Sequence, residues 1–294
     1  MATVTLPPGE IEPAVAGAHP ATDFLRRHPT VVAGLVILGL MTFLALAAPW
    51  LGTVDPLSLD PVQRLEAPSE ANWFGTDSFG RDIYSRTVYG SRISLIVGLS
   101  VAILSTLFGL LIGLAAGYSR VLDAIVMRVM DGMMAVPSIL LAIALIALTE
   151  ASVTNVILAI TIPEVPRVVR LVRSVVLTIR EQPYIEAALA IGTSLPRIFS
   201  RHLLPNTLAP LIVQATYIFA SAVLIEAGLS FVGAGTPPEV PSWGNIMAEG
   251  RVFFLISPYM ILFPGLALAL TVLAVNLLGD GLRDLLDPRI ARRM

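Results

Sequence analysis

Cysteine is absent from the 294 residues, and so is lysine. The first absence excludes disulfides, iron–sulfur clusters, thiolate zinc sites and cysteine nucleophiles. The second excludes a phosphate-binding loop of the G-x-x-x-x-G-K-[ST] type, whose lysine must reach the β- and γ-phosphates. It excludes Schiff-base chemistry as well. All 19 basic residues are therefore arginine. The histidines, His19, His28 and His202, lie far apart and show no metal-ligand spacing. Charge is scarce too: only 14% of residues carry one, against 55% that are hydrophobic. A soluble globule is nearer a quarter charged. A chain this apolar, with a mean hydropathy of +0.81, must meet lipid rather than water over much of its surface. The net charge of −2 argues against nucleic acid as a partner, because phosphate binding needs a basic excess.

Residues 29–54, 93–119, 132–149, 202–225 and 252–279 contain no charge. Each is near or above the roughly 20 residues a helix needs to cross a bilayer. A sixth run, 151–163, is short, and it crosses only if Glu164, and with it Arg167, is held inside protein or at the interface. Pro163 and Pro166 would also interrupt its hydrogen-bond ladder. Arginine placement argues for all six. With six crossings, one side of the membrane holds Arg64, Arg81, Arg86, Arg92 and Arg251, and the other holds the remaining fourteen. The positive-inside rule then puts both termini in the cytoplasm. The expected fold is all-helical, with spans near 31–51, 92–117, 131–149, 152–174, 207–232 and 253–279. One transmembrane domain covers 24–294, behind a disordered leader over 1–23 that is rich in Pro, Ala and Gly. Gly109, Gly113 and Gly117, four residues apart, form a candidate helix seam. Pro137, Pro258 and Pro264 predict kinks, with Pro258 near a helix start.

The stretch between the fourth and fifth spans is long and charged without being disordered in composition. Pro183 can open a short helix through Glu186, Ala187 and Ala188, and Gly192 can end it. A second short helix over 195–204 would carry Leu195, Ile198, Phe199 and Leu203 on one face and Arg197 and Arg201 on the other. Pro205 and Asn206 then precede the next span.

Glu186-Ala187-Ala188, three residues, Gly192, then nine residues before a terminal x-x-Leu204-Pro205 resemble the EAA loop of ABC-importer permeases. His202 stands where the family consensus has isoleucine, but the Arg-His-x-Leu-Pro-Asn ending is common in the peptide and nickel branch. Further stretches resemble the C-type permease of dipeptide, oligopeptide and nickel importers. They are Gly75-Thr76-Asp77 with Gly80-Arg81-Asp82 and Ser85-Arg86, residues 90–95, Pro241-Ser242-Trp243-Gly244, and residues 276–288 (NLLGDGLRDLLDP). The resemblance implies a multi-pass permease of a bacterial inner membrane. It also implies a second, different permease, two ATPase subunits carrying ATP and Mg, and an extracytoplasmic substrate-binding protein as partners. Glu186, Ala187, Ala188, Gly192, Leu204 and Pro205 would then couple the permease to an ATPase, with no cofactor and no catalytic residue in this chain. Peptides are the implied cargo, with nickel or another small solute as the alternative.

Two charged features remain. Asp82 and Arg86, at i and i+4, could pair on a short helix before the second span, and the loop over 51–90 reads either as a self-packed cap or as a face for the binding protein. Glu226, in an apolar helix, should face the bundle interior. It is a candidate for the substrate pathway or a structural hydrogen-bond partner. Asp123, Arg128 and Asp131 read as a charge network within one helix. An ion-coupled secondary transporter would carry inverted repeats and several intramembrane acids, which are not evident here. An intramembrane enzyme would need a catalytic set such as H-E-x-x-H or a Ser–Lys pair, and the chain has neither.

Overall fold

A computed structural model describes residues 28–286, so the expected leader over 1–23, the first residues of the 24–294 domain, and the end of the 276–288 stretch with the residues after it lie outside the described residues. The described residues form helices and no strand; two residues of one loop, Thr76 and Asp82, make an isolated bridge. Helix α1 (Pro29–Ala47) continues through a 3₁₀ turn to Trp50. After the loop over 51–82 come α2 (Ile83–Tyr118), α3 (Arg120–Met134), α4 (Ser138–Ile146) and α5 (Val153–Arg180). Then follow α6 (Pro183–Ala190), α7 (Leu195–Val232), α8 (Trp243–Gly250) and α9 (Tyr259–Leu286).

Four of these runs are long and apolar enough to cross a bilayer: Pro29–Trp50, α2, α7 and α9. Taken as one broken span, α3 and α4 make a fifth. They meet at 87°, so the third span is no straight helix over 131–149. Pro137, with ψ at 132°, cannot donate to the ladder and forces Val136 out of the helical region, so the chain turns there. The charged helix α5 has 28 residues, about 42 Å at 1.5 Å per residue, and carries Pro163 and Pro166 within it. It is long enough to cross, but its charges keep it out of the apolar class. The second span is longer than expected. Asp82 does not open a separate short helix: its carboxylate accepts from the Ser85 N–H and caps a single 36-residue α2.

The bundle has two distinguishable ends. The 51–82 loop, the segment after α4 and helix α8 lie at one (the loop end). Tyr259 ties this loop to α9 by donating to the Glu66 carbonyl (2.8 Å), and Phe74 stacks on Phe263. The turn between α5 and α7 marks the other (the turn end), where Val31 of α1 also touches Gly281 of α9. Pro258 stands just ahead of α9, which starts six residues later than the expected span.

The centre of the packing is the contact between α2 and α5. A Cβ on Gly109 would lie 2.3 Å from Val168 Cβ, and on Gly113 or Gly117 it would lie 2.7 Å from Val172 or Val176 Cβ. The three glycines therefore accept three valines, one per turn, and the two backbones approach as only glycine permits. Val168, Val172 and Val176 are buried and belong to the main apolar cluster. We predict that Gly113→Leu lowers stability by about 1–3 kcal/mol through overpacking. Gly39→Leu, where a Cβ meets nothing within 4 Å, should be close to neutral. Thermal unfolding of the detergent-solubilised protein checks both.

Candidate functional site

At the turn end, α6 begins with Pro183 at its first position and Glu186 in its first turn. Its far end closes by a Schellman pair. Thr193 N–H donates to the Ala188 carbonyl and Gly192 N–H to the Leu189 carbonyl, both 3.0 Å. Gly192 takes φ +78°, which an L side chain adopts only with strain. The chain then enters α7, whose fifth to ninth residues form a π turn, Phe199–Leu203, closed where Leu204 N–H reaches back to the Phe199 carbonyl. Pro205 has no N–H for the carbonyl four residues before it, and the ladder shifts to the wider spacing just ahead of it. The second arm is therefore no separate helix ending at Leu204. It runs unbroken through Leu204 and Pro205 to Val232.

This turn is docked rather than free. Ile185, Ile198 and Leu203 are buried in the same cluster as Val172, Val176 and Ile179 of α5. Arg180 donates to the Tyr118 carbonyl (2.7 Å) at the end of α2, and the Tyr184 and His202 rings pack at a 45° tilt with centroids 5.8 Å apart. Glu186, Ala187 and Gly192 stay exposed, and Ala188 and Leu204 are half-buried. Beside them Tyr184, Leu189 and Leu195 are exposed, and Ile191 is 83% so. The sequence-predicted set thus falls on one rigid hairpin with an apolar outer face.

At the loop end the expected Asp82–Arg86 pair does not form. Arg86 is fully buried and bonds Asp77 and Glu249, and Arg81 bonds the same two carboxylates. Asp77 also accepts from the Phe79 and Arg81 N–H groups. Two cations and two anions close a neutral cluster that pins the loop to α2 and α8, which favours the self-packed cap. Glu249 escaped sequence reasoning because its partners lie 163 and 168 residues away and no local spacing announces it.

Glu226 is fully buried, as expected, and its Oε1 accepts from Ser230 and Ser242, each at 2.9 Å. Ser242 also caps α8 through the Asn245 N–H. Trp243, fully buried, donates to the Thr87 carbonyl at 3.0 Å, so the Pro-Ser-Trp-Gly block wedges α8 between α7 and α2. Nothing brings Glu226 near the turn. The acids of α3 are also not an internal network: Asp123 pairs with Arg173 and Asp131 with Arg170, both on α5. Among the described residues no cluster of His, Asp or Glu could hold a metal ion.

These features define an all-helical membrane protein with a rigid turn at one end and a charge-locked cap at the other. Residues 89–292 match the family described as the binding-protein-dependent transport system inner membrane component, to which the chain belongs. Residues 21–68 match the N-terminal transmembrane domain of oligopeptide transport permease C. A probable peptide ABC transporter permease of Sinorhizobium fredii is 58% identical over 94% of each chain. A dipeptide transport system permease of Alkalihalophilus pseudofirmus is 44% identical over 97% of this chain and 94% of its own. A di/tripeptide permease of Pseudomonas aeruginosa is 39% identical over 95% of each. Among solved structures, an inward-facing MetNI methionine ABC transporter chain is 23% identical, with a TM-score of 0.47 over 68% of this chain and 94% of that one.

We predict that Arg86→Met, which strands Asp77 without one of its buried cations, costs about 3–5 kcal/mol of stability. The exposed Arg64→Met should stay within about 0.5 kcal/mol. Thermal melts of the purified protein separate the two.

Proposed function

We propose that this chain is a permease subunit of an ATP-driven importer that carries peptides across a bacterial inner membrane. In this reading the six expected helical stretches, α3–α4 taken as one, all cross, and the turn end and both termini face the cytoplasm, as the arginine distribution favours. The observation that carries the reading is the α6–Gly192–α7 hairpin. It is rigidly held inside, exposed outside, and rimmed by Tyr184, Leu189, Ile191 and Leu195, which suits a docking knob for a partner rather than a lipid contact. With no lysine for a P-loop, the energy source lies on other chains.

The partners are then two ATPase subunits carrying ATP and Mg, a second permease, and an extracytoplasmic binding protein, a set implied by the resemblance to ABC importers and, for the binding protein, supported by the family description. Glu186, Ala187, Ala188, Gly192, Leu204 and Pro205 transmit ATPase closure into the helices, which switch between two packings to expose the cargo on alternate sides. Glu226 joins the path only in a state where α8 has lifted away, because Ser230 and Ser242 close over it here.

Gly192→Pro and Glu186→Ala are expected to cut peptide uptake by the reconstituted complex at least about tenfold while the chain still folds, because the docked turn and not the core is altered. Uptake measured beside ATP hydrolysis checks this. Unchanged coupling in both variants rejects the hairpin's role. Uptake that survives ATP depletion and follows an ion gradient rejects the importer in favour of a secondary transporter.

A further inference from the structure

Helix α5 carries Glu164, Arg167, Arg170 and Arg173, and its register against α2 gives their depth. Gly109 lies against Val165 and Val168, and Gly113 against Val169 and Val172. Both glycines fall inside the charge-free run over 93–119 of α2. Arg167 is thus level with a point ten residues, about 15 Å, from the turn end of that run, inside the hydrocarbon layer. Yet the Arg167 side chain is 52% exposed and that of Arg170 is 43% exposed. A guanidinium at that depth does not face lipid; it faces a water-filled cavity or another protein.

The surroundings favour water. A cleft of ≈ 380 Å³ between α5, α7 and α9, lined by Leu171, Pro210, Gln214 and Arg283, reaches Leu171, one helical turn below Arg167. The two arginines are also differently engaged. Arg170 is taken up by Asp131 of α3 at 2.5 Å. Among the described residues Arg167 has only Glu164, 3.2 Å away and fully buried, behind it. Neither oxygen of that carboxylate has a hydrogen-bond donor among the described residues, so its one compensation is the ion pair. Glu164 thereby anchors the guanidinium from the protein side, and the outward N–H groups remain available in the fork that matches a carboxylate.

We propose that Arg167, held by Glu164, lines the translocation path and receives the C-terminal carboxylate of the peptide as it passes. This rests on the peptide-importer reading above. It moves the charged contact in the path from Glu226, which is sealed in this packing, to the exposed stripe of α5.

Because the chain has no cysteine, single cysteines report accessibility without background. In the assembled complex, Arg167→Cys should react with a membrane-impermeant charged thiol reagent, and the exposed apolar Ile103→Cys of α2 should not. An unreactive Arg167→Cys means that the second permease covers the stripe, which overturns the proposal. Uptake of one dipeptide in free-acid and C-terminally amidated forms then tests the chemistry. Arg167→Gln should raise the KM of the free acid about tenfold and leave that of the amide unchanged, and Arg167→Lys should restore part of the loss. Equal effects on the two forms, or none on either, overturn the carboxylate assignment. Failure of the unsubstituted complex to move either form rejects the peptide reading itself, a result seen before any substitution is compared.

Discussion

The close approach of α2 and α5 is the contact on which the other features depend. Three glycines spaced one turn apart accept three valines, and that interlock buries one face of a helix too charged to enter a bilayer alone. Lipid offers no hydrophobic drive for helices to associate, so close van der Waals packing must supply the attraction. Once α5 is seated, its arginines point where the seam does not, towards α3 and the open cleft. Arg173 and Arg170 then hold the amphipathic α3 by its two acids, while Ala142 and Ile146 of α4 pack in the same cluster as Val156 and Ala159 of α5, so α5 braces both sides of the bend. The same seam carries α5 down to Arg180, whose bond to the Tyr118 carbonyl sets where the turn begins.

The opposite end is organised by electrostatics. Asp77, Arg81, Arg86 and Glu249 balance to zero charge in a largely buried place, and each cation sees both anions. Breaking any one contact leaves an uncompensated buried charge, so the cluster holds the 51–82 loop, α2 and α8 in a single register. Glu226 does similar work with hydroxyl partners, joining α7 to the start of α8. The chain is thus fastened by small residues in its middle and by polar groups at the loop end.

Local patterns carried much of this into view. Charge-free runs gave α1, the core of α2, the core of α7 and α9, because each is decided by length and composition. The glycine triplet announced the seam, and Pro183 and Gly192 announced the hairpin, since both act through backbone geometry within a few residues. What stayed hidden depended on distance along the chain. Glu249 joins partners more than 160 residues away. Asp123 and Asp131 looked like neighbours of Arg128, yet they turn to α5. The bend at Pro137 was foreseen as a kink, whereas its size, 87°, is not something a lone proline in a sequence announces. Pro205 read as a stop, and a π turn let the helix continue through it.

That continuation makes α7 a connecting rod. From Leu195 to Val232 it runs 38 residues, about 57 Å, with the hairpin at one tip and Glu226 near the other. A stiff rod cannot absorb a push by shortening; it pivots, and its far tip sweeps sideways. The wider hydrogen-bond ring at Phe199–Leu203 and the proline at Pro210 are the points near the hairpin tip where it can flex. A shove at the Gly192 corner would therefore reach Ser242 as leverage on the short helix that plugs the loop end.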